Sequence, residues 1–322
     1  MLIPIVLLLV GFGVLIKGAD FLVNGASSLA KKYGISNLAI GLTVVSFGTS
    51  MPELIVSTIA AVSGKPDATF GNVIGSNNFN LLFILGICGL IYPLVVQRNT
   101  VKYEVPFSLL AAVVLFVLVN DSMIWGADHN SLGRLDASVL LLFFGLFLLY
   151  IYRTMKKTSD FGETGGEPIK IYKPIVATGL ALLGLVMLIG GGKLVVDNAV
   201  EIAKAFELSE KLIGLTILAI GTSLPELATS AVAAYRKNTD IAIGNVIGSN
   251  IFNVFLILGV TGSITEIPFN VDLNFDLSVF AISTVVLMIF MFTLNTRKLD
   301  RWEAAILLIG YVMYTLYLVG ME

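Results

Sequence analysis

The sequence predicts an all-α integral membrane protein with ten transmembrane helices, arranged as two five-helix repeats of inverted topology. Three observations predict this fold. The chain of 322 residues is 57% apolar and only 13% charged, which is about half the charged fraction of an average soluble domain. Its apolar residues form ten runs long enough to cross a bilayer. One stretch of the first half also recurs in the second half.

The ten runs are continuous rather than alternating, which favours helices over the strands of a barrel. The first run lacks the basic start and the small-residue cleavage site of a signal peptide, so it is interpreted as an uncleaved span. In chain order, the predicted spans are residues 2–30, 36–63, 69–96, 104–120, 135–152, 173–200, 210–235, 241–266, 275–295 and 302–320.

Composition excludes several classes of protein. The charges are too few to cover a soluble enzyme, and a net charge of −2 supplies no basic footprint for nucleic acid. A single cysteine and a single histidine exclude internal disulfides and metal sites built from these residues. We therefore expect a protein that is not an enzyme, that uses no cofactor and binds no nucleic acid, and that is a monomer in the lipid bilayer.

Charge asymmetry orients the chain in the membrane. With the N-terminus outside, fourteen of the 20 Lys and Arg residues lie in cytoplasmic loops and five in outer loops. The longest polar break, residues 153–173, is predicted to be a flexible cytoplasmic linker. It divides a first five-helix half, residues 1–152, from a second half, residues 174–322.

An internal repeat identifies the centre of the molecule. Residues 41–86 align with residues 214–259 at a constant offset of 173, without a gap, and 25 of the 46 aligned positions are identical. Because each half has an odd number of spans, the second copy is expected to be inverted relative to the first. Inverted repeats are typical of secondary transporters, whose binding sites lie at the repeat interface near the bilayer midplane.

Each copy contains the motif G-T-S-x-P-E, which places Glu53 and Glu226 where hydrocarbon is expected. Carboxylates in a membrane are costly and are usually functional. Thr49 and Ser50 precede Glu53 by four and three residues, so all three share one helix face. Pro52 cannot donate a hydrogen bond to the carbonyl four residues back. The motif therefore predicts a bent helix with a free carbonyl beside a hydroxyl and a carboxylate.

The second motif, G-N-V-I-G-S-N-x-F-N, places Ser76 and Asn80 on one helix face, as it does Ser249 and Asn253 in the second copy. Alone, its glycines are equally typical of close helix packing. Together, the two motifs provide only oxygen ligands, which are those that hard cations prefer. The residues therefore predict a site for calcium or sodium.

At these residues the chain resembles the sodium/calcium exchanger family of the calcium:cation antiporter superfamily, whose hallmark is G-T-S-x-P-E followed by G-N-x-x-G-S-N. The resemblance implies four central helices around one calcium site and several sodium sites. It implies that Glu53 and Glu226 are the main calcium ligands, shared with sodium, together with the carbonyls of Thr49 and Thr222. The implied sodium ligands are Ser50, Ser76, Ser223 and Ser249, the carbonyls of Ser46 and Ala219, and, at the centre, Asn80 and Asn253.

Four further implications come from the resemblance. Potassium-dependent members carry aspartate at the position of Asn253, so asparagine favours exchange without potassium. Proton-coupled relatives carry G-N-x-x-E instead of G-T-S-x-P-E, which this chain does not match. The short linker excludes the long regulatory calcium-binding loop of some members, and this favours a prokaryotic inner-membrane or plasma-membrane protein. The first and sixth spans are expected to form a sliding gate.

The repeat, the two motifs and the family resemblance together predict an antiporter that exchanges sodium for calcium by alternating access. The resemblance also implies that the exchange is electrogenic. The transported ions are then calcium and sodium. Two alternatives remain at this point. The same fold can run calcium against protons, because a carboxylate removed from water readily binds a proton. A cation channel is the other alternative.

Overall fold

The computed structural model of the protein describes residues 2–155, 170–206, 219–293 and 297–320, and almost all of them are helical. The helices are α1 (Leu2–Tyr33), α2 (Asn37–Thr49), α3 (Met51–Val62), α4 (Pro66–Ile91), α5 (Thr100–Val119), α6 (Asp121–Trp125), α7 (Arg134–Met155), α8 (Pro174–Ala205), α9 (Ala219–Gly221), α10 (Leu224–Tyr235), α11 (Thr239–Ile264), α12 (Asn274–Phe290) and α13 (Arg301–Gly320).

Eight of the described helices are long and apolar enough to cross a membrane, and the bent pair α2–α3 raises the number to nine if it forms one span. This confirms a helical, multi-pass membrane protein. The seventh predicted span, 210–235, lies partly outside the described residues, as does most of the predicted linker 153–173.

The third predicted span, 69–96, is wrong at its C-terminal end. Helix α4 ends at Ile91, and Tyr92 is extended with φ −148° and ψ 126°. The reason is local, because a residue before proline is disfavoured in the helical region and Pro93 follows Tyr92. The chain instead forms strand β1 (Leu94–Val95), which pairs antiparallel with β4 (Lys298–Leu299). A second short pair joins β2 (Ser131–Leu132) to β3 (Ile267–Pro268).

Helices α1 and α8, the first helices of the two halves, run antiparallel in close contact. A Cβ added at Gly11 would meet the backbone of Gly191, and one at Gly18 would meet that of Gly184. The same two pairs are related by the repeat offset, since Gly184 and Gly191 follow Gly11 and Gly18 by 173 residues. These two corresponding helices therefore have opposite directions, and small residues allow their backbones to touch.

Helices α4 and α11, which carry the second motif, form the interior of the bundle. In the most apolar stretch of 18 residues, 72% of the residues of α4 and 94% of those of α11 are buried, against 17% for α13. The outer helices expose large apolar side chains such as Leu135 and Ile175, as expected for surfaces that face lipid.

Both interior helices contain a π-helical turn at equivalent places. The turn spans Phe79–Ile84 in α4 and Phe252–Leu258 in α11, and a third turn spans Gly41–Val45 in α2. Such turns insert a residue into the helix and frequently occur at functional sites. The turns in α4 and α11 begin beside the asparagines of the second motif.

Candidate functional site

The first motif lies at a break between two helices in each half. Helices α2 and α3 meet at an angle of 46°, and Pro52 stands in the first turn of α3, where its missing N–H is tolerated. Pro225 has the same place in α10. Glu53 and Glu226 follow directly, so each carboxylate lies at the positive N-terminal end of a helix dipole. The predicted bend is confirmed for the first copy.

Each glutamate accepts a hydrogen bond from a serine of the opposite half. Ser50 donates to Glu226 Oε1 at 2.9 Å, and Ser223 donates to Glu53 Oε1 at 2.9 Å. Ser50 and Ser223 are equivalent residues of the two copies, as are Glu53 and Glu226. The two halves therefore contribute interchangeable groups to a single site between them, which we call the central site.

The serines of the second motif complete this contact. Ser76 Oγ lies 2.9 Å from Ser223 Oγ and donates to it, since the single proton of Ser223 goes to Glu53; Ser249 Oγ donates to Glu226 Oε1 at 3.4 Å. All of these serine side chains are buried. The structure thus brings together the predicted serines of both motifs around the two carboxylates.

The remaining carboxylate oxygens have no hydrogen-bond partner among the described residues. Glu53 and Glu226 are each 1% exposed, and the Oε2 atom of each is buried without a hydrogen bond. Among the described residues, no Lys or Arg forms an ion pair with either carboxylate. Two buried, unneutralised carboxylates are costly, so the arrangement suits a bound cation.

Two further buried amide oxygens belong to the second motif. Asn80 Nδ2 donates to Asn250 Oδ1 at 3.0 Å, and Asn253 Nδ2 donates to Asn77 Oδ1 at 3.0 Å. These bonds orient the amide groups of Asn80 and Asn253 and leave their Oδ1 atoms buried without partners. The described residues contain no cluster of three or more His, Cys, Asp or Glu side chains. The donor set therefore consists of two carboxylates and neutral oxygens, which suits hard cations.

A second pair of asparagines supports the breaks in the helices. Thr49 donates to Asn245 Oδ1 at 3.1 Å, and Asn245 donates to the carbonyl of Glu226 at 3.4 Å. The equivalent Thr222 donates to Asn72 Oδ1 at 3.1 Å. Asn245 thus joins the helix break of the first half to α11 of the second half. Asn72 joins the helix break of the second half to α4 of the first half.

Sequence reasoning did not single out these asparagines, nor Asn77 and Asn250. Their signal was present, because Asn72 and Asn245 are the N of G-N-V-I-G in the two copies and are identical at the repeat offset. Each also donates to a serine outside the motifs, Asn72 to Ser57 at 2.9 Å and Asn245 to Ser230 at 3.0 Å.

Ser46 and Ala219, the two residues predicted to offer backbone carbonyls before the first motif, differ in how far the structure describes their surroundings. The Ser46 carbonyl accepts the Ser50 N–H at 3.0 Å. The Ser46 hydroxyl, with one proton to donate, lies 2.6 Å from the carbonyl oxygen of Gly41 and 3.1 Å from that of Asn245. Ser46 therefore contacts the backbone of both α2 and α11. Ala219, its equivalent, begins α9 at the edge of the described residues.

Comparison with known proteins decides the family. A family model described as sodium/calcium exchanger protein matches residues 3–153 and 176–320, which together are almost the whole chain. The chain belongs to the sodium/calcium exchanger family. The resemblance seen in the two motifs is thus confirmed, as are the expectations of a membrane transporter and of a protein that is not an enzyme.

Several relatives of the exchanger match over most of their length. The putative antiporter CaxA of Alkalimonas amylolytica is 38% identical over 98% of both chains. The inner membrane protein YrbG of Escherichia coli is 38% identical over 82% of this chain and 81% of its own. The sodium/calcium exchanger MaX1 of Methanosarcina acetivorans is 31% identical over 97% of both.

The fold of this exchanger also matches a solved structure. The sodium-calcium exchanger NCX_Mj, soaked with sodium and calcium, superposes with a TM-score of 0.80 at 31% identity, and the match covers 97% of both chains. NCX_Mj soaked without either ion gives a TM-score of 0.82. Sodium and calcium are therefore the substrates of the family to which this chain belongs.

Proposed function

We propose that the protein is an antiporter that exchanges sodium for calcium by alternating access, with the central site as the place where the two ions compete. One observation carries the proposal: two equivalent glutamates, each bonded by a serine of the opposite half, keep an unpartnered oxygen in a buried site without a basic residue. The membership of the chain in a sodium/calcium exchanger family supports it.

The proposed ligands follow the resemblance stated above. Calcium is bound by the carboxylates of Glu53 and Glu226, with the carbonyls of Thr49 and Thr222 at the helix breaks. Sodium shares the two glutamates. The further sodium ligands are Ser46, Ser50, Ser76, Asn80, Ala219, Ser223, Ser249 and Asn253.

Charge explains why the ions compete. The two carboxylates give the empty site a charge of about −2, which one calcium or two sodium ions neutralise. Holding one calcium together with two sodium ions would leave a charge of about +2 in a medium of low dielectric constant, which is more costly than the charge of about +1 that a third sodium ion leaves. A third sodium ion, as the family resemblance implies, makes the sodium-loaded site net positive and the exchange electrogenic.

The proposed topology is ten spans in two inverted halves, residues 1–152 and 174–322, joined by the linker 153–173. The antiparallel contact of α1 with α8 supports the inversion, and the distribution of Lys and Arg supports an outside N-terminus. The protein is then a monomer in the lipid of an inner or plasma membrane. Helices α1 and α8 are the proposed gate, which slides against the site helices.

Equilibrium binding to purified protein tests this assignment. Radioactive calcium should bind and should be displaced by sodium when ionic strength is held constant with choline. Glu53→Gln and Glu226→Gln each keep the side-chain shape but remove a ligand charge, so each should lose this sodium-sensitive binding. Glu201→Gln, at an exposed glutamate of α8, is the matched control. Sodium-sensitive calcium binding that survives in both central variants would refute the site.

Exchange of calcium for protons is the second candidate, and the unpartnered Oε2 atoms of Glu53 and Glu226 favour it, since each could carry a proton. The two candidates differ in what displaces calcium. Displacement by sodium at constant pH supports sodium exchange. Displacement only by acid, with no effect of sodium, would replace it by proton exchange.

A further inference from the structure

A small cavity, with room for about one water molecule between its lining atoms, opens on the face of the bundle from which the linker leaves. It lies between the start of α2, the segment after β1, the first turn of α5 and the end of α7. None of the residues proposed above as ligands of the central site lines it. Its polar lining residues are Ser36, Gln97, Asn99, Glu104 and Thr154.

Glu104 is the acidic group of this cavity and has an unfilled oxygen. Its side chain is 1% exposed, Oε1 accepts a hydrogen bond from Tyr150, and Oε2 is buried without a partner. Within the described part of the chain, no Lys or Arg forms an ion pair with it. One of its two oxygens, Oε2, therefore has no hydrogen bond from a described residue.

A second carboxylate stands behind the cavity wall. Gln97 Nε2 donates to Asp240 Oδ2 at 2.7 Å, in the first turn of α11. Because the amide nitrogen is engaged by Asp240, the amide oxygen of Gln97 remains as an acceptor. The cavity thus has one carboxylate in its lining, a second carboxylate behind Gln97, and neutral oxygens.

We propose that this cavity is a second cation site, separate from the central site, and that it binds calcium. Glu104 Oε2 is the charged ligand, and the side-chain oxygens of Gln97 and Asn99 are neutral ligands. The charge of Asp240 acts from behind Gln97, and water supplies the remaining positions on the open side. This is the chemistry that calcium takes in proteins, six to eight oxygens at flexible geometry. In the proposed orientation the site faces the cytoplasm.

The purified double variant Glu53→Gln/Glu226→Gln provides the test, because it removes the central site while leaving the cavity intact. Wild type should bind two calcium ions, and the double variant one. Adding Glu104→Gln to the double variant should weaken the remaining binding at least tenfold, and adding Asp240→Asn should weaken it by a smaller factor. Radioactive calcium gives the stoichiometry, and terbium luminescence excited through Tyr150 reports the place.

Glu303→Gln is the matched control. Glu303 is equally buried, but Thr293 and the Asp300 N–H occupy its two oxygens, so its replacement should leave calcium binding unchanged. Elution as a single monodisperse peak shows that each variant is folded, and Asp240→Asn serves as the test if Glu104→Gln does not fold.

Three results would overturn the second site. The first is that the double variant binds no calcium up to about 10 mM, tenfold above the weakest calcium modules. The second is that it binds sodium in the cavity but no calcium. The third is that neither Glu104→Gln nor Asp240→Asn changes its calcium binding. None of these results concerns the central site, whose failure appears separately as a loss of sodium-sensitive binding in wild type.

Discussion

The hydroxyl of Ser50 donates a 2.9 Å hydrogen bond to the carboxylate of Glu226, so a residue of the first half satisfies a charged group of the second. The equivalent pair, Ser223 and Glu53, forms the same bond in the other direction at the same distance. Neither half can therefore form its own site. A movement that separates the halves changes both carboxylates at once, which is what alternating access at a shared site requires.

Removing either hydroxyl should have the same effect. Ser50→Ala and Ser223→Ala each delete a bond to a carboxylate, which contributes about 1.5–3 kcal/mol, and each also deletes a proposed sodium ligand. Sodium affinity should fall roughly tenfold to a hundredfold, and calcium affinity should fall less, since the glutamates remain. Ser63→Ala, at an exposed serine beyond α3, is the control. A strong effect of one variant and none of the other would contradict a site shared equally.

A third carboxylate at the centre should slow exchange. Asn253 Nδ2 donates to Asn77 Oδ1, so Asn253→Asp replaces a donor by an acceptor and adds a negative charge near the two glutamates. The new group should take up a proton or an additional cation. We expect slower release of ions and a steeper dependence of exchange on pH, measured as calcium flux with and without potassium. Asn80→Asp, its equivalent, should behave alike. Flux like that of wild type at every pH would remove both amides from the site.

The close packing of α1 on α8 should depend on the absence of a side chain at Gly184. A Cβ at Gly184 would lie 2.5 Å from the Leu22 amide nitrogen and 2.6 Å from the Gly18 carbonyl oxygen. Gly184→Ala should therefore lower the free energy of unfolding by about 1–3 kcal/mol through overpacking. Gly190→Ala, on the same helix but with nothing within 4 Å of its Cβ, should be neutral or slightly stabilising. Thermal unfolding in detergent compares them, and equal stability would contradict the contact.

The two halves are not equivalent where α1 meets the end of α10. Arg236 donates to Asp20 and Asn24 of α1, whereas the equivalent residues of α8, Lys193 and Asp197, pair with each other at 3.3 Å. Arg236→Gln removes both of these bonds and should therefore loosen α1 near Asp20 and Asn24, on the side of the bundle from which the linker leaves.

This motion can be measured as the rate at which a thiol reagent modifies the cysteine introduced by Ser27→Cys, in a Cys88→Ser background. Arg236→Gln should raise that rate roughly tenfold if it lowers the free energy of local opening by about 1.4 kcal/mol. Ser27 is buried and accepts a hydrogen bond from Asn238 in the same region. Lys193→Gln should leave that rate unchanged. If Arg236→Gln leaves it unchanged as well, Arg236 does not hold the gate helix.

The sequence was sufficient to predict the parts of the site that depend on local chemistry. Pro52 bends the second span because proline lacks an N–H, and Glu53 is conspicuous because carboxylates are rare in membranes. The repeat then supplied Glu226 without further argument. Each of these inferences needs only residues within a few positions of one another.

Contacts between the halves could not be predicted in the same way. The bond from Asn253 to Asn77 joins residues 176 positions apart, and nothing in the local pattern distinguishes it from other amide pairs. The π-helical turn after Asn78 also escapes prediction, because propensities do not separate it from an α-helix. The cavity at Glu104 was missed for a related reason, since its lining residues come from separate parts of the chain, from Ser36 to Thr154.

Calcium uptake into sodium-loaded proteoliposomes, with pH clamped on both sides, tests sodium/calcium exchange most directly. The account predicts uptake that requires the outward sodium gradient, stops when choline replaces sodium, and is absent in Glu53→Gln and Glu226→Gln. Uptake that proceeds equally without sodium, or that either glutamine variant retains at the wild-type rate, would contradict it.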